Sequence, residues 1–191
     1  MNSVSNKTFN HLKIHTQYSI CEGALRTSDL AKYCKLNKIP AIGLCDTNNL
    51  CGALEFSELL AKSKTQPIIG TQINIKYKDK FGKLSFFAKD LEGYKNLIKL
   101  SSKSYLDIKE NDEPHCKFEE IEINSKGLIL LSGTFEGLIG NLFFKNLTDQ
   151  ASDLLKEIKV IFKDNFYLEI QRHGDRGENL FEKFILNLSE K

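Results

Sequence analysis

Short, wholly apolar runs alternate along the chain with longer segments of helical periodicity, and this order restricts the fold more than any other feature. Residues 41–45 and 128–131 are apolar at every position, as is typical of strands that are covered on both faces. Residues 54–62 and 91–105 instead carry apolar side chains at the spacing of one helix face. The alternation predicts an α/β fold with a largely parallel sheet.

Weaker patterns complete the predicted order of elements. Further strands are predicted at residues 11–15, 73–75, 84–88 and 166–171. Further helices are predicted at residues 27–36, 153–162 and 179–188, with a polar turn at 78–83 and a charged loop at 108–120. No linker or break in composition divides the chain, so residues 1–191 are predicted to form one domain. Because a helix follows a strand and runs to the last residue, we expect the natural chain to continue.

Composition agrees with an ordinary globular protein, since 41% of the 191 residues are hydrophobic and 27% are charged. The 27 basic and 25 acidic residues leave a net charge of +2, which neither predicts nor excludes binding to nucleic acid. No apolar run approaches the ~20 residues of a membrane-spanning helix, and the first residues lack a secretory signal. We therefore expect a cytoplasmic protein without membrane contact.

The five cysteines form no C-x-x-C pair, which argues against a zinc knuckle and favours reduced thiols, several of them buried.

Polar side chains at the ends of predicted strands are the candidate functional residues, because the loops there carry function in α/β folds. His11, Lys13 and His15 would share one face of the first strand. Two imidazoles could hold a metal ion, but the ammonium group between them would oppose it. A packed or hydrogen-bonded role is therefore favoured for these histidines.

Three further candidate places follow apolar runs. Asp46 ends a predicted strand, where a carboxylate could bind metal or act as a base. The favoured alternative is that Asp46 and Asn48 accept hydrogen bonds from the following turn and cap the next helix. Residues 70–72 and 132–134 combine glycine with polar side chains, but they lack the glycine density of a phosphate-binding loop. No nucleophile has an evident histidine and acid partner.

Several stretches, taken together and in order, resemble a known family. They are residues 11–23, 46–56, 66–75, 84–106, 127–133 and 166–174, and the most specific are residues 92–97 (EGYKNL) and 167–171 (YLEIQ). They are similar to the PHP (polymerase and histidinol phosphatase) domain at the N-terminus of bacterial replicative DNA polymerase III alpha subunits, which are family C DNA polymerases. The resemblance implies a distorted PHP-type barrel of about seven β/α units, incomplete here because the chain stops before the last strands. The polymerase palm, fingers and DNA-binding regions would lie outside these residues.

The resemblance also implies where a metal cluster lies in active members of the family. Three positions are retained as vestiges: His15, Glu22 and Asp46. The ligands are lost at five others: Lys13, Thr47, Gln72, Lys83 and Thr134. Neutral amide and hydroxyl groups bind divalent cations weakly, and unit charges ~5 Å apart repel by roughly 3 kcal/mol at an effective dielectric of about 20. We therefore expect a vestigial site without metal, in which Lys13 and Lys83 pair with Asp46 or Glu22.

By this resemblance the chain is a structural and interaction domain with no catalytic residue or cofactor of its own. DNA-directed DNA synthesis, a nucleotidyltransferase reaction that uses Mg²⁺, would belong to the full-length protein, which would contact DNA through the absent regions. The implied partners are the proofreading epsilon exonuclease and the other subunits of the polymerase III holoenzyme. Two alternatives stay open. One is an active metal-dependent PHP phosphoesterase or 3′-5′ exonuclease, which the ligand set opposes, and the other is an independent binding protein descended from such a polymerase.

Overall fold

The computed structural model describes residues 9–189, in which helices surround one six-stranded mixed sheet. The strands are β1 (Ala41–Thr47), β2 (Gln66–Tyr77), β3 (Lys80–Ala88), β4 (Cys116–Lys117), β5 (Leu128–Leu131) and β6 (Phe166–Tyr167). The helices are α1 (Thr27–Asn37), α2 (Ala53–Lys62), α3 (Leu91–Leu106), α4 (Phe118–Ile123), α5 (Leu138–Phe144), α6 (Thr148–Phe162) and α7 (Glu178–Ser189). The predicted α/β class is confirmed.

The strand order is β1-β2-β3-β5-β6, and β4 pairs with the far end of β2. Strands β1 and β2 are parallel, as are β5 and β6, whereas β3 runs antiparallel to both β2 and β5. The prediction of a largely parallel sheet is therefore wrong at β3. Its cause is the turn after β2: Tyr77 pairs directly with Lys80, and a two-residue connection can join only antiparallel strands. Residues 80–83, predicted as part of a polar turn, belong to β3.

Apolar side chains on one face of the sheet form two neighbouring cores with the helices, and Ile69 of β2 packs against both. The larger one packs Ile73 and Ile75 of β2 and Leu84 and Phe86 of β3 against helices α3, α5, α6 and α7. The smaller one packs Leu44 of β1 against α1 and α2. Burying one such side chain contributes roughly 1.5–3 kcal/mol, so these cores hold the strand ends in place.

Residues 11–15 run beside β1 but do not form the predicted strand. The amide groups of Gly43 and Cys45 donate to the carbonyl oxygens of His11 (2.7 Å) and Ile14 (2.8 Å). This close approach requires glycine, because a Cβ at residue 43 would lie 2.3 Å from the carbonyl oxygen of Leu12. A local bond from the amide of Ile14 to the same Leu12 oxygen (3.3 Å) bends the segment, so regular pairing stops. The segment nevertheless carries Lys13 and His15 to the end of β1.

Other differences from the predicted elements concern short segments. The predicted loop 108–120 contains β4 and the start of α4, and the predicted strand 166–171 ends at Tyr167. Helix α5 was not predicted, and α6 begins at Thr148 instead of residue 153. Strands of two residues carry no periodicity of their own. They form because β2 and β5 offer unpaired edges, so local sequence could not have located them.

Within residues 9–189 no helix combines the length and the apolarity needed to cross a membrane. All five cysteines are free thiols, and Cys34, Cys45 and Cys116 are buried, as expected. Burial raises the pKa of Cys45 to about 12 and that of Cys116 to about 12. Neither thiol is therefore a reactive nucleophile at neutral pH.

Candidate functional site

A cavity of about 440 Å³ lies where several strands end. Six positions singled out from the sequence line it: Lys13, His15, Glu22, Gln72, Lys83 and Thr134. Thr47, the last residue of β1, also contacts Glu22. Asp46 lies next to the cavity but does not line it. The fold thus gathers into one place side chains that come from the start, the middle and the second half of the chain.

Glu22 is the centre of one hydrogen-bonded group in the cavity. The ammonium group of Lys83 donates to one carboxylate oxygen, and the hydroxyl of Thr47 donates to the other. The amide of Gln72 lies 3.4 Å from that second oxygen and donates to the Thr47 hydroxyl at 2.8 Å. Burial raises the pKa of Glu22, but the hydrogen bonds from Lys83 and Thr47 outweigh it, so this pKa is lowered overall. The expected pairing of Lys83 with Glu22 is present.

Lys13 makes a different ion pair from the one expected. Its ammonium group lies 3.3 Å from Oε1 of Glu169, not against Asp46 or Glu22. The amide of Gln171 donates to the same oxygen at 2.8 Å. The other carboxylate oxygen, Oε2, is buried and has no hydrogen-bond partner among residues 9–189. The side chains of Lys13 and Glu169 are 16% and 10% exposed, so this pair is nearly buried.

Sequence reasoning missed Glu169, Gln171 and His173 as members of the site. Gln171 and His173 line the cavity, and the imidazole of His173 lies 3.2 Å from the side-chain oxygen of Gln171. These three polar residues are spaced two apart and follow β6 closely. Because alternate residues of an extended chain point to the same side, this spacing could have indicated that they share one side.

Asp46 has a structural role that neither sequence-based alternative describes. Its carboxylate is fully buried and accepts hydrogen bonds from the Thr16 amide (2.6 Å), the Thr16 hydroxyl (2.7 Å) and the Ser19 hydroxyl (2.6 Å). It therefore ties residues 16–19 to β1. It does not cap α2, whose N-cap residue Gly52 makes no side-chain cap bond. Asn48 instead accepts from the amide of Asn74 at 2.9 Å.

The side chains around the cavity do not fit a divalent metal cluster. Both oxygens of Glu22 already accept hydrogen bonds, and the groups that face them are an ammonium, a hydroxyl, an amide and, at 3.9 Å, the imidazole of His15. No group of three or more His, Cys, Asp or Glu side chains able to hold a metal ion occurs within the described part of the chain. Cations would also meet the charges of Lys13 and Lys83, so the donor set opposes metal binding.

His15 gives the site a predicted pH dependence. Burial lowers the pKa of His15, and the nearby Lys13 and Lys83 lower it further against the opposing charges of Glu22 and Asp46. Because the folded-state pKa is below the ordinary value of 6.5, the unfolded chain binds a proton first as pH falls. The free energy of unfolding should therefore decrease as pH drops below 6.5, and His15→Gln should remove that part of the decrease. Urea denaturation between about pH 8 and about pH 5 measures it.

A His173→Gln variant is the control for loss of an imidazole, because His173 is exposed. We expect it to follow the wild-type pH profile. Identical profiles for the wild type and His15→Gln would contradict the lowered pKa of His15, as would an NMR titration midpoint of that imidazole above 6.5.

Comparisons with known proteins identify the family of the chain. A family model described as the PHP domain matches residues 11–173. The chain is 38% identical over 195 residues to the DNA polymerase III subunit alpha of Caulobacter vibrioides, covering 98% of this chain and 17% of that protein. It is 36% identical over 184 residues to the same subunit of Rickettsia bellii, covering 96% and 16%. For Vibrio cholerae the identity is 32% over 191 residues, covering 98% and 16%.

The chain thus spans about a sixth of the length of these curated relatives. Among solved structures, it superposes on a protein from Bifidobacterium adolescentis described as a metal-dependent phosphoesterase, with a TM-score of 0.61 and 12% identity. The superposition covers 94% of this chain and 84% of that one. At this identity the likeness concerns the fold alone.

Proposed function

The chain belongs to the PHP domain family, and we propose that it serves as the N-terminal PHP part of a DNA polymerase III alpha subunit. The support is identity of 31–38% to curated alpha subunits over nearly the whole chain. In this proposal DNA-directed DNA synthesis and its Mg²⁺ belong to the whole subunit, which works in the cytoplasm. The role of residues 9–189 is then to support the polymerase and not to catalyse a reaction.

The observation that carries this structural role is the state of Glu22. This carboxylate at the centre of the cavity accepts hydrogen bonds from the Lys83 ammonium and the Thr47 hydroxyl. In a metal-dependent phosphoesterase, a carboxylate at this place would instead be needed to bind metal. Lys13 makes a second internal pair with Glu169. Two protein cations, Lys13 and Lys83, therefore supply positive charge at the strand ends in this proposal.

The same proposal includes a partner. An alpha subunit works inside the polymerase III holoenzyme, and we assign to this domain the docking of the proofreading epsilon exonuclease. The support is the family relationship to alpha subunits, and a domain without its own nuclease chemistry is compatible with carrying a separate nuclease.

Metal analysis tests the structural role. We expect the purified chain, incubated with Zn²⁺ or Mn²⁺ and then desalted, to retain much less than one ion per molecule, and EDTA to leave its melting temperature unchanged. Its hydrolysis of bis-p-nitrophenyl phosphate should not exceed background. The physical reason is that ammonium, amide and hydroxyl groups replace anionic ligands around the cavity.

A matched variant sharpens the measurement. Lys13→His, Thr47→His and Lys83→His combined restore imidazoles, but neutral Gln72 and Thr134 remain, so we expect little recovery of metal binding. Stoichiometric zinc or manganese in the wild type, with hydrolysis that EDTA abolishes, would reject the structural role and establish the metal-dependent phosphoesterase or 3′-5′ exonuclease instead.

A further inference from the structure

Two lysines and a phenylalanine form one row across the sheet, near the tip of the β2–β3 hairpin. Lys76 of β2 is paired with Phe81 of β3 on one side and with Lys117 of β4 on the other. Residues in register on neighbouring strands point to the same face of a sheet. The three side chains therefore lie next to each other on the face opposite the larger core, which holds Ile75.

The row combines positive charge with an accessible aromatic ring. Phe81 is 44% exposed, and the Lys76 ammonium lies 5.4 Å from the centre of its ring. The buried imidazole of His115 supports the ring edge-on, with 5.0 Å between ring centres. The ring is thus held in a fixed position with one face beside a cation.

Neither lysine of the row has an acidic partner within residues 9–189, since no ion pair involves Lys76 or Lys117. Like charges directly opposite each other on neighbouring strands destabilise a sheet. Lys83 lies on the same face, diagonal to Lys76, but its ammonium group is paired with Glu22, so the unpaired charges are those of Lys76 and Lys117. The repulsion between these ammonium groups destabilises the protein without a ligand. A ligand with several negative charges would relieve it.

A second group of lysines offers a contrast. Lys35 lies in the last turn of α1 and Lys62 in the last turn of α2, and Lys38 and Lys64 lie beside them. Basic side chains are stabilised at helix C-termini by the helix dipole. That group therefore has an explanation within the fold, and no exposed aromatic ring lies among its lining residues. In the row, Lys117 instead lies at the N-cap of α4, the helix end at which the dipole disfavours a cation.

We propose that Lys76, Phe81 and Lys117 form a contact surface for single-stranded nucleic acid. The two ammonium groups contact successive phosphates, and a base stacks on the exposed face of Phe81, a combination that binds single strands without sequence preference. An acidic peptide would satisfy the lysines but would leave the aromatic ring without a stacking partner. This surface lies in the PHP part itself and is additional to any contact made by a polymerase region.

Fluorescence anisotropy with fluorescein-labelled oligothymidylate tests the proposal on the whole chain at low salt. We expect Lys117→Glu to weaken binding at least about tenfold and to reduce the slope of log affinity against log salt by at least about 0.7, the value for one phosphate contact to a single strand. Phe81→Leu keeps an apolar side chain but removes stacking, and should weaken binding about tenfold. Lys35→Glu makes the same change in net charge at the other lysine group and should leave the affinity unchanged.

Stability separates loss of binding from loss of folding. Lys117→Glu places a carboxylate opposite Lys76, so its melting temperature should equal or exceed that of the wild type. The proposal is overturned if Lys35→Glu weakens binding as much as Lys117→Glu, or if Phe81→Leu binds like the wild type. It is also overturned if polyglutamate or phosphatidylserine vesicles bind the wild type while oligothymidylate does not.

Discussion

Replacement of Asp46 by alanine is expected to lower the free energy of unfolding by about 3–5 kcal/mol, the largest effect predicted for this protein. The buried carboxylate accepts from the Thr16 amide, the Thr16 hydroxyl and the Ser19 hydroxyl. Without it, three donors would stay in the interior without an acceptor, at roughly 1–3 kcal/mol each. Small domains have only about 5–15 kcal/mol of stability, so the variant should be largely unfolded at modest urea concentrations. Urea denaturation followed by circular dichroism measures the loss.

Two comparisons isolate the role of this carboxylate. Ser19→Ala removes one of the three donors and should cost about 1 kcal/mol. Asp112→Ala removes a carboxylate from an exposed residue and should change stability by less than about 0.5 kcal/mol. If Asp46→Ala were no more destabilising than Asp112→Ala, Asp46 would not tie residues 16–19 to β1. If Asp46→Ala lowered the free energy of unfolding only in the presence of added metal, Asp46 would be a metal ligand instead of a structural residue.

Replacement of Lys13 by methionine is expected to cost about 3 kcal/mol. Methionine keeps the length and the apolar stem of the side chain but leaves the Glu169 carboxylate nearly buried without a counter-charge. Removing one partner of a buried ion pair costs about 3–5 kcal/mol, and the remaining exposure of this pair places the effect at the lower end. Thermal and urea denaturation of the variant provide the measurement.

Adding Glu169→Gln to Lys13→Met, in a double-mutant cycle, should restore much of the lost free energy of unfolding. Lys13→Met combined with Glu169→Gln removes the unpaired charge, while the amide oxygen that replaces the carboxylate still accepts from Gln171. The double variant should therefore be more stable than Lys13→Met alone. Lys32→Met is the matched control, because its pair with Asp29 is 77% and 61% exposed and exposed pairs contribute about 0–1 kcal/mol. Equal losses for Lys13→Met and Lys32→Met would rule out a structural role for the internal pair.

The predicted partners of Lys13 and Lys83 illustrate how far sequence reasoning reached. It located both lysines in the degenerate site and offered Asp46 or Glu22 as their partners, because residues next to the same strand ends must be close; the structure selects Glu22 for Lys83. It assigned Lys13 to the wrong carboxylate, since Glu169 lies beyond β6 and a two-residue strand leaves no periodic signal. A lysine stem several bonds long can reach any of the carboxylates near it, so only the packed structure selects one.

The sequence by itself determined the class of fold, the order of the main helices and strands and, through its resemblance to a known family, six of the residues that line the cavity. The fold class and the order of elements depend on local spacing and on apolar pattern, which are written along the chain, whereas the site positions follow from the resemblance. The tertiary structure alone decided the direction of β3, the donors of the buried Asp46 and the pairing of Lys13 with Glu169. It also placed Lys76 beside Lys117, because β4 pairs with the free edge of β2. Such contacts join residues far apart in sequence, and which ones form depends on the competition of all side chains for the same space.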